Sequence, residues 1–311
     1  MSGVSNSAFR RLIRKHNPGS VGLVVTEFIS IEALTRQVRR SLEMMRFQPE
    51  ERPIAIQIFG YDINRMVDAA KIAEQAGADI VDINSGCPVP KVVRRGGGCE
   101  LMRQPAHLGK MLEQVANSIS VPLTLKFRSG WDDRSRNAVE IAKIAENSGV
   151  KMVTVHGRTR TQLYRGLADY EIIREVVDAV SIPVIGSGDV TDAQSAAERA
   201  SSGVSGLMIG RMALENPWVF EDIARAVAGE EVPVRSRQEI VQVMFDYLEL
   251  LREEMPEKGV IGKMKQFASQ VTKGLRGAAE MRRQLVRAQE MNVFCQLLGE
   301  FSNHSEVELA A

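Results

Sequence analysis

The chain has 311 residues, 44% of them hydrophobic and 25% charged, with a net charge of +1; this is the make-up of a folded globular protein and excludes a polycation, so any nucleic-acid surface has to be local. Its three cysteines, Cys87, Cys99 and Cys295, form neither a disulfide framework nor a CxxC metal pair. No apolar run is long enough for a membrane span and no secretory signal is legible, so the expected compartment is the cytoplasm, with no membrane partner and no metal.

In chain order, residues 1–15, "MSGVSNSAFRRLIRK", read as a loop entering a helix with no strand before it. Short apolar, β-branched runs then recur at 21–26, 53–59, 79–84, 121–127, 151–156, 182–186 and 204–209. Amphipathic stretches such as 62–76 and 137–148 alternate with them, with apolar residues at i, i+3, i+4. Gly77 and Gly149 stand where those helices should stop. Strands that read as continuously apolar predict burial on both faces, as in a parallel sheet clad by helices. Seven βα units are visible, where a (β/α)₈ TIM barrel needs eight. The expected fold is therefore such a barrel with its first strand missing at the N-terminus; an open doubly wound sheet is the alternative.

Around Gly229 the rhythm ends, "GEEVPVRS" reads as a linker, and 236–256, 259–275 and 277–298 read as helices. The expected domains are 1–229, catalytic, and 230–311, small and helical. Within 258–287, Lys258, Lys263, Lys265, Lys273, Arg276, Arg282, Arg283 and Arg287 face Glu280 alone. Such a run is either a solvated helix face or an RNA-facing patch.

In a barrel the carboxyl ends of the strands carry the chemistry. Here they end in Glu27, Gln57, Asn84 with Cys87, Lys126 with Arg128, His156 with Arg158, Ser187-Gly188-Asp189 and Gly210-Arg211. Polar ends on buried strands are costly unless they converge on something. The last two loops have the small residues of a phosphate cradle or of plain chain reversals. Lys126, between Leu125 and Phe127, calls for an anionic or electron-rich partner such as a flavin ring, or for a structural ion pair. Cys87 lies between Gly86 and Pro88, a turn that presents its thiol as nucleophile, metal ligand or general acid. "KVVRRGGG" after it looks like a mobile basic lid.

Together, "MSGVSNSAFR", "DINSGCPVPKVVRRGGGCELM", "LKFRSGWDD", "VHGRTRTQLYRGLADY", "VIGSGDV" and "IGRMALENPW" resemble the dihydrouridine synthases, flavoenzymes that reduce uridines in tRNA, and their bacterial B-type members in particular. The resemblance implies FMN as cofactor and NADPH or NADH as reductant. By it, Cys87 matches the general acid, and Gln57, Lys126 and His156 the residues that hold the isoalloxazine. Ser187, Gly188, Asp189, Gly210 and Arg211 match the FMN phosphate site, and Met1 and Ser2 head the first motif as further cofactor contacts. Asn84 and Arg158 are implied at the substrate, with Lys263, Lys265, Arg282 and Arg283 on a tRNA-binding helical tail. A monomer is expected. Competing readings are a flavin reductase of a small pyrimidine, a synthase acting on ribosomal RNA, and a non-catalytic RNA-binding protein. The basic tail argues against the small substrate, and the Cys87, Lys126, His156 set against the non-catalytic protein.

Overall fold

The structure, a computed structural model, describes residues 1, 3–275 and 277–303. The strands are β1 Val24–Val25, β2 Ile29–Ser30, β3 Ile54–Phe59, β4 Ile80–Ser85, β5 Leu123–Arg128, β6 Met152–His156, β7 Val184–Ser187 and β8 Gly206–Met208. All pairings are parallel, in the order β1-β3-β4-β5-β6-β7-β8. β2 also pairs with β3, Val24 lying opposite Ile54 and Ile29 opposite Ile58, so β1 and β2 are two pieces of one interrupted strand. That leaves seven strand positions alternating with helices in a parallel barrel-type sheet. The predicted runs match these positions with small shifts at their ends.

Why these segments fold so is local. The helix Ile63–Gln75 starts where the Asp62 carboxylate accepts from the Arg65 N–H, and buries Met66, Ala69, Ala70 and Ala73. Small residues on that face allow close approach to the sheet. Gly77 (φ 89°) and Gly149 (φ 90°) end their helices in the left-handed conformation, as expected from sequence. At the amino ends of the strands one clip occurs twice. Glu74 accepts from the N–H and hydroxyl of Ser120 and the N–H of Val121, and Glu146 does the same with Ser181 and Ile182. These bonds hold both carboxyls below the ordinary glutamate range.

The core corrects one expectation. Ile56, Ile58, Val81, Ile83, Leu123, Leu125, Phe127, Val153 and Val155 pack with the helices in one cluster. The residues that alternate with them are polar: Gln57, Asp82, Asn84, Thr124, Lys126, Arg128, Thr154 and His156. The strands are thus two-faced, apolar toward the helices and polar within. Most of the polar face is buried, and Gln57, Asp82, Asn84 and Thr124 satisfy one another.

The chain divides into two compact units, residues 1–6 with 22–209, and 7–21 with those from 210 onward. The second unit contains the helices Ser7–His16, Met212–Glu215, Val219–Val227, Arg237–Glu254, Glu257–Val271, Ala278–Arg287 and Met291–Asn303. The last predicted helix is two, broken after Arg287. Phe9 of Ser7–His16 stands edge-on to Tyr247 and Phe267, with ring centroids 6.2 and 6.3 Å away. Among the described residues no helix is long and apolar enough to cross a membrane, and no three His, Cys, Asp or Glu residues gather as a metal site.

Candidate active site

Strand register stacks the polar face into rows. Gln57 lies opposite Asp82 and Asp82 opposite Thr124; Asn84 lies opposite Lys126 and Lys126 opposite Thr154; Arg128 lies opposite His156 and His156 opposite Ser187. Six of the sequence-predicted positions, Gln57, Asn84, Lys126, His156, Ser187 and the Cys87 turn that follows Asn84, are thereby brought onto one face of the first unit.

The lower rows are hydrogen-bonded end to end. Thr124 Oγ1 donates to Asp82 Oδ1 (2.5 Å), Gln57 Nε2 donates to Asp82 Oδ2 (2.7 Å), and Asn84 Nδ2 donates to Gln57 Oε1 (2.8 Å). Asn84 Oδ1 then accepts the N–H groups of Gly86 (3.1 Å) and Cys87 (3.0 Å). The turn carrying the thiol is therefore held by an amide oxygen from the strand before it. From the other side, Arg128 donates from Nε to Gly86 O (3.1 Å) and from Nη1 to the carbonyls of Thr159 and Leu163 (2.9 and 2.8 Å).

Cys87 is buried, and burial pushes its thiol pKa up; the Val89 N–H and the charge on Arg128 offset this in part. The group is thus a thiol at neutral pH, holding a proton. Cys99 is fully buried and pushed up to about 12, chiefly by burial. Its N–H donates to Cys87 O (3.1 Å).

The run Gly96-Gly97-Gly98 was expected to hinge a lid. Its packing gives a different reason for glycine. A Cβ on Gly96 would come within 2.5 Å of the Tyr61 ring, and one on Gly98 (φ 58°) within 2.5 Å of Cys87 O. The run is a close-packed seat for the Cys87 turn.

Lys126 keeps part of its surface open, yet burial first, then Arg128, draws its pKa down to about 8. Asp82 raises it again through charge alone: no hydrogen bond or ion pair reaches the Lys126 ammonium among the described residues. A half-buried cation with no partner among the described residues fits an electron-rich ligand edge, and Gln57 and Asn84 each keep one amide N–H that no described protein group takes. These residues fit a flavin.

His156 Nε2 lies 3.3 Å from Arg158 Nη1. A guanidinium only donates, so Nε2 accepts and the ring proton sits on Nδ1. Arg158, 2% exposed, donates from Nη2 to both carboxylate oxygens of Asp189 (2.6 and 2.7 Å) and to Gly166 O (2.6 Å). Asp189 also accepts the Ala168 N–H (2.7 Å). Arg158 thus braces two strand-end loops, and the Asp189 carboxylate is engaged with protein. Gly188 beside it has φ 118°, and a Cβ there would meet Ala168 Cβ at 2.6 Å and His156 Cδ2 at 3.0 Å. Gly188→Ala is accordingly expected to lower stability by about 1–3 kcal/mol, read as the chemical-denaturation midpoint.

Of the remaining predicted residues, Met1 is exposed, its ammonium donating to Ser5 Oγ (2.5 Å); Ser2 lies outside the described residues. Gly210 and Arg211 belong to the second unit, Arg211 preceding the helix Met212–Glu215. Lys263 and Lys265 are half-buried on the helix Glu257–Val271. Arg282 donates to Thr272 O (2.5 Å), and Arg283 pairs with Glu280. Arg276 lies outside the described residues. Two residues of the site were not singled out from sequence, Asp82 and Thr124, and Arg128 was read as a strand end with no role given. The signal for Asp82 was present, an acid inside the otherwise apolar "IVDIN".

A parallel barrel-type sheet with a buried thiol, an unpartnered ammonium and paired amides at its strand ends defines an enzyme of the barrel class. The family model described as "Dihydrouridine synthase (Dus)" matches residues 1–306. A protein of Rickettsia bellii named "Probable tRNA-dihydrouridine synthase" is 38% identical over 91% of this chain and 86% of its own. One of Pseudomonas aeruginosa named "tRNA-dihydrouridine synthase B" is 35% identical over 97% of this chain and 90% of its own. One of Rhodobacter capsulatus, again named "Probable tRNA-dihydrouridine synthase", is 42% identical over 75% and 72%. The chain belongs to the dihydrouridine synthase family and is an oxidoreductase.

Proposed function

We propose that the protein is a cytoplasmic tRNA-dihydrouridine synthase that uses FMN, with NADPH or NADH as reductant, and Cys87 as the proton donor. In balance, one uridine, one reduced nicotinamide and one proton give one dihydrouridine and one oxidised nicotinamide. Bound FMN supplies the hydride that reaches C6 of the uracil. Cys87 supplies the proton at C5, and its buried, protonated thiol on a doubly anchored turn is the observation that carries this reading. Lys126 and the spare N–H groups of Gln57 and Asn84 offer donors to carbonyl oxygens of the flavin and the base, and His156 is assigned to the flavin by the resemblance. The backbone around Ser187 and Gly188, in the first unit, is assigned to the flavin phosphate. The uridine has to leave its stack to reach a thiol this buried. Deletion of the gene followed by mapping of dihydrouridine in cellular RNA tests the function. Loss of the base from tRNA is expected; a strain with an unchanged dihydrouridine pattern would refute it.

The helical second unit is proposed to hold RNA phosphates through Lys263, Lys265, Arg282 and Arg283. R282E/R283E is expected to weaken RNA binding and to flatten the plot of log affinity against log salt by about 0.9 for each phosphate no longer neutralised, leaving NADPH oxidation intact. Because Arg282 also bonds Thr272 O, the melting temperature is measured alongside. Wild-type RNA affinity in this variant would transfer the grip to Lys91, Arg94 and Arg95. Those three cations are exposed, just beyond Cys87, and have no ion pair among the described residues.

A further inference from the structure

The hydrogen-bond polarity along the lower rows is forced from one end. Backbone N–H groups only donate, so the atom of Asn84 that meets Gly86 and Cys87 is Oδ1. Its Nδ2 then faces Gln57, which has to answer with Oε1; Gln57 Nε2 in turn faces Asp82, which has to answer with an acceptor. A carboxyl meets that demand in either protonation state, because Thr124 takes the other oxygen. We infer that Asp82 is a positioning residue for the reaction: its acceptor sets the orientation of the Gln57 amide, and through it that of Asn84 and of the turn that carries the Cys87 thiol.

The same relay decides what the two amides present to a ligand. Asn84 Oδ1 already accepts two N–H groups and Gln57 Oε1 is turned to Asn84, so the group each amide has free to offer is an N–H. The ligand groups recognised here are therefore acceptors, the carbonyl oxygens of a pyrimidinedione or of an isoalloxazine. A reversed relay would present carbonyls instead and would leave two backbone N–H groups of the turn without an acceptor. Burial raises the Asp82 pKa, against the bonds from Thr124 and Gln57 and the charge of Lys126. The relay tolerates either state, so Asp82 acts through its acceptor and not through its charge.

That distinction makes the test. In Asp82→Asn the new amide can turn its oxygen to Gln57 and its NH₂ to the Thr124 hydroxyl, which accepts as well as donates. In Asp82→Leu the acceptor is gone, in a larger, apolar side chain. Both variants are prepared as full-length, FMN-loaded protein. Iodoacetamide labelling of Cys87 is followed by peptide mass spectrometry, with Cys295 in the same digest as the reference for general loosening. Single-turnover dihydrouridine formation and the thermal midpoint are measured beside it.

For D82L the expectation is Cys87 labelling faster by about tenfold and base reduction slower by about tenfold, with Cys295 unchanged. D82N should stay within about twofold of wild type, since its acceptor is kept. Wild-type labelling of Cys87 in D82L would overturn the inference. So would a D82N that fails as D82L does, which would make the charge the agent. If D82L does not fold, Gln57→Leu breaks the relay one link later, and unchanged Cys87 labelling there also overturns it. The role of Cys87 as proton donor rests on the function proposed above, but the labelling needs neither RNA nor NADPH. The relay and that function therefore fail separately.

Discussion

Cys87→Ala should retain FMN and oxidise NADPH at close to the wild-type rate, yet form dihydrouridine about 10²–10⁴-fold more slowly in single turnover. The thiol sits on a turn held by Asn84 Oδ1 and Arg128, and neither anchor uses the sulfur, so its removal leaves the turn in place. What disappears is a proton held where burial keeps it on the thiol. Cys87→Ser tests the same point, since a hydroxyl keeps a proton but releases it far less readily. Near wild-type base reduction by the alanine variant would remove Cys87 from the chemistry.

Lys126→Met should weaken FMN binding by about 10- to 100-fold, the loss of a hydrogen bond from a charged donor. A pH dependence follows as well. In the ligand-free protein Lys126 titrates at about 8. If flavin binding uses the ammonium, as proposed, the bound form should hold its proton to higher pH than the free form. Below pH 8 no proton has to be taken up, and affinity is flat. Above it each binding event takes up a proton, and affinity falls by up to about tenfold per pH unit until the pKa of the bound form is reached. Fluorescence titration with FMN between pH 6.5 and 9.5 reads this directly. The methionine variant should be weak and flat throughout. A wild-type protein with no slope above pH 8 would show that the ammonium does not meet the flavin.

Much of this protein was legible before any coordinates. The alternation of β-branched runs with amphipathic helices, and glycines such as Gly77 and Gly149 at helix ends, depend on a residue and its near neighbours. Hydrophobic periodicity and left-handed caps are local properties, so they survive in a string of letters. The polar strand ends were legible for the same reason: a lysine between Leu125 and Phe127, or a cysteine between Gly86 and Pro88, is anomalous where it stands. The conformation those residues share and the family they resemble were both within reach.

The tertiary structure alone decided who faces whom. Parallel register places Gln57 beside Asp82 and Asn84 beside Lys126 across tens of residues of intervening helix, and no local pattern encodes that pairing. Asp82 therefore passed as part of the strand run 79–84, and only its partners make it the end of a relay. The resemblance implies Arg158 at the substrate, and its bonds to Asp189 and the 165–166 backbone are visible only in the folded chain. Gly96 to Gly98 suggested freedom, and the structure uses them for close approach to Tyr61 and Cys87. The helix Ser7–His16 opens the chain yet packs with helices more than 200 residues later, Phe9 against Tyr247 and Phe267. Sequence determines which side chains must be buried; only the folded chain determines against what, because burial is a property of one residue and contact is a property of two.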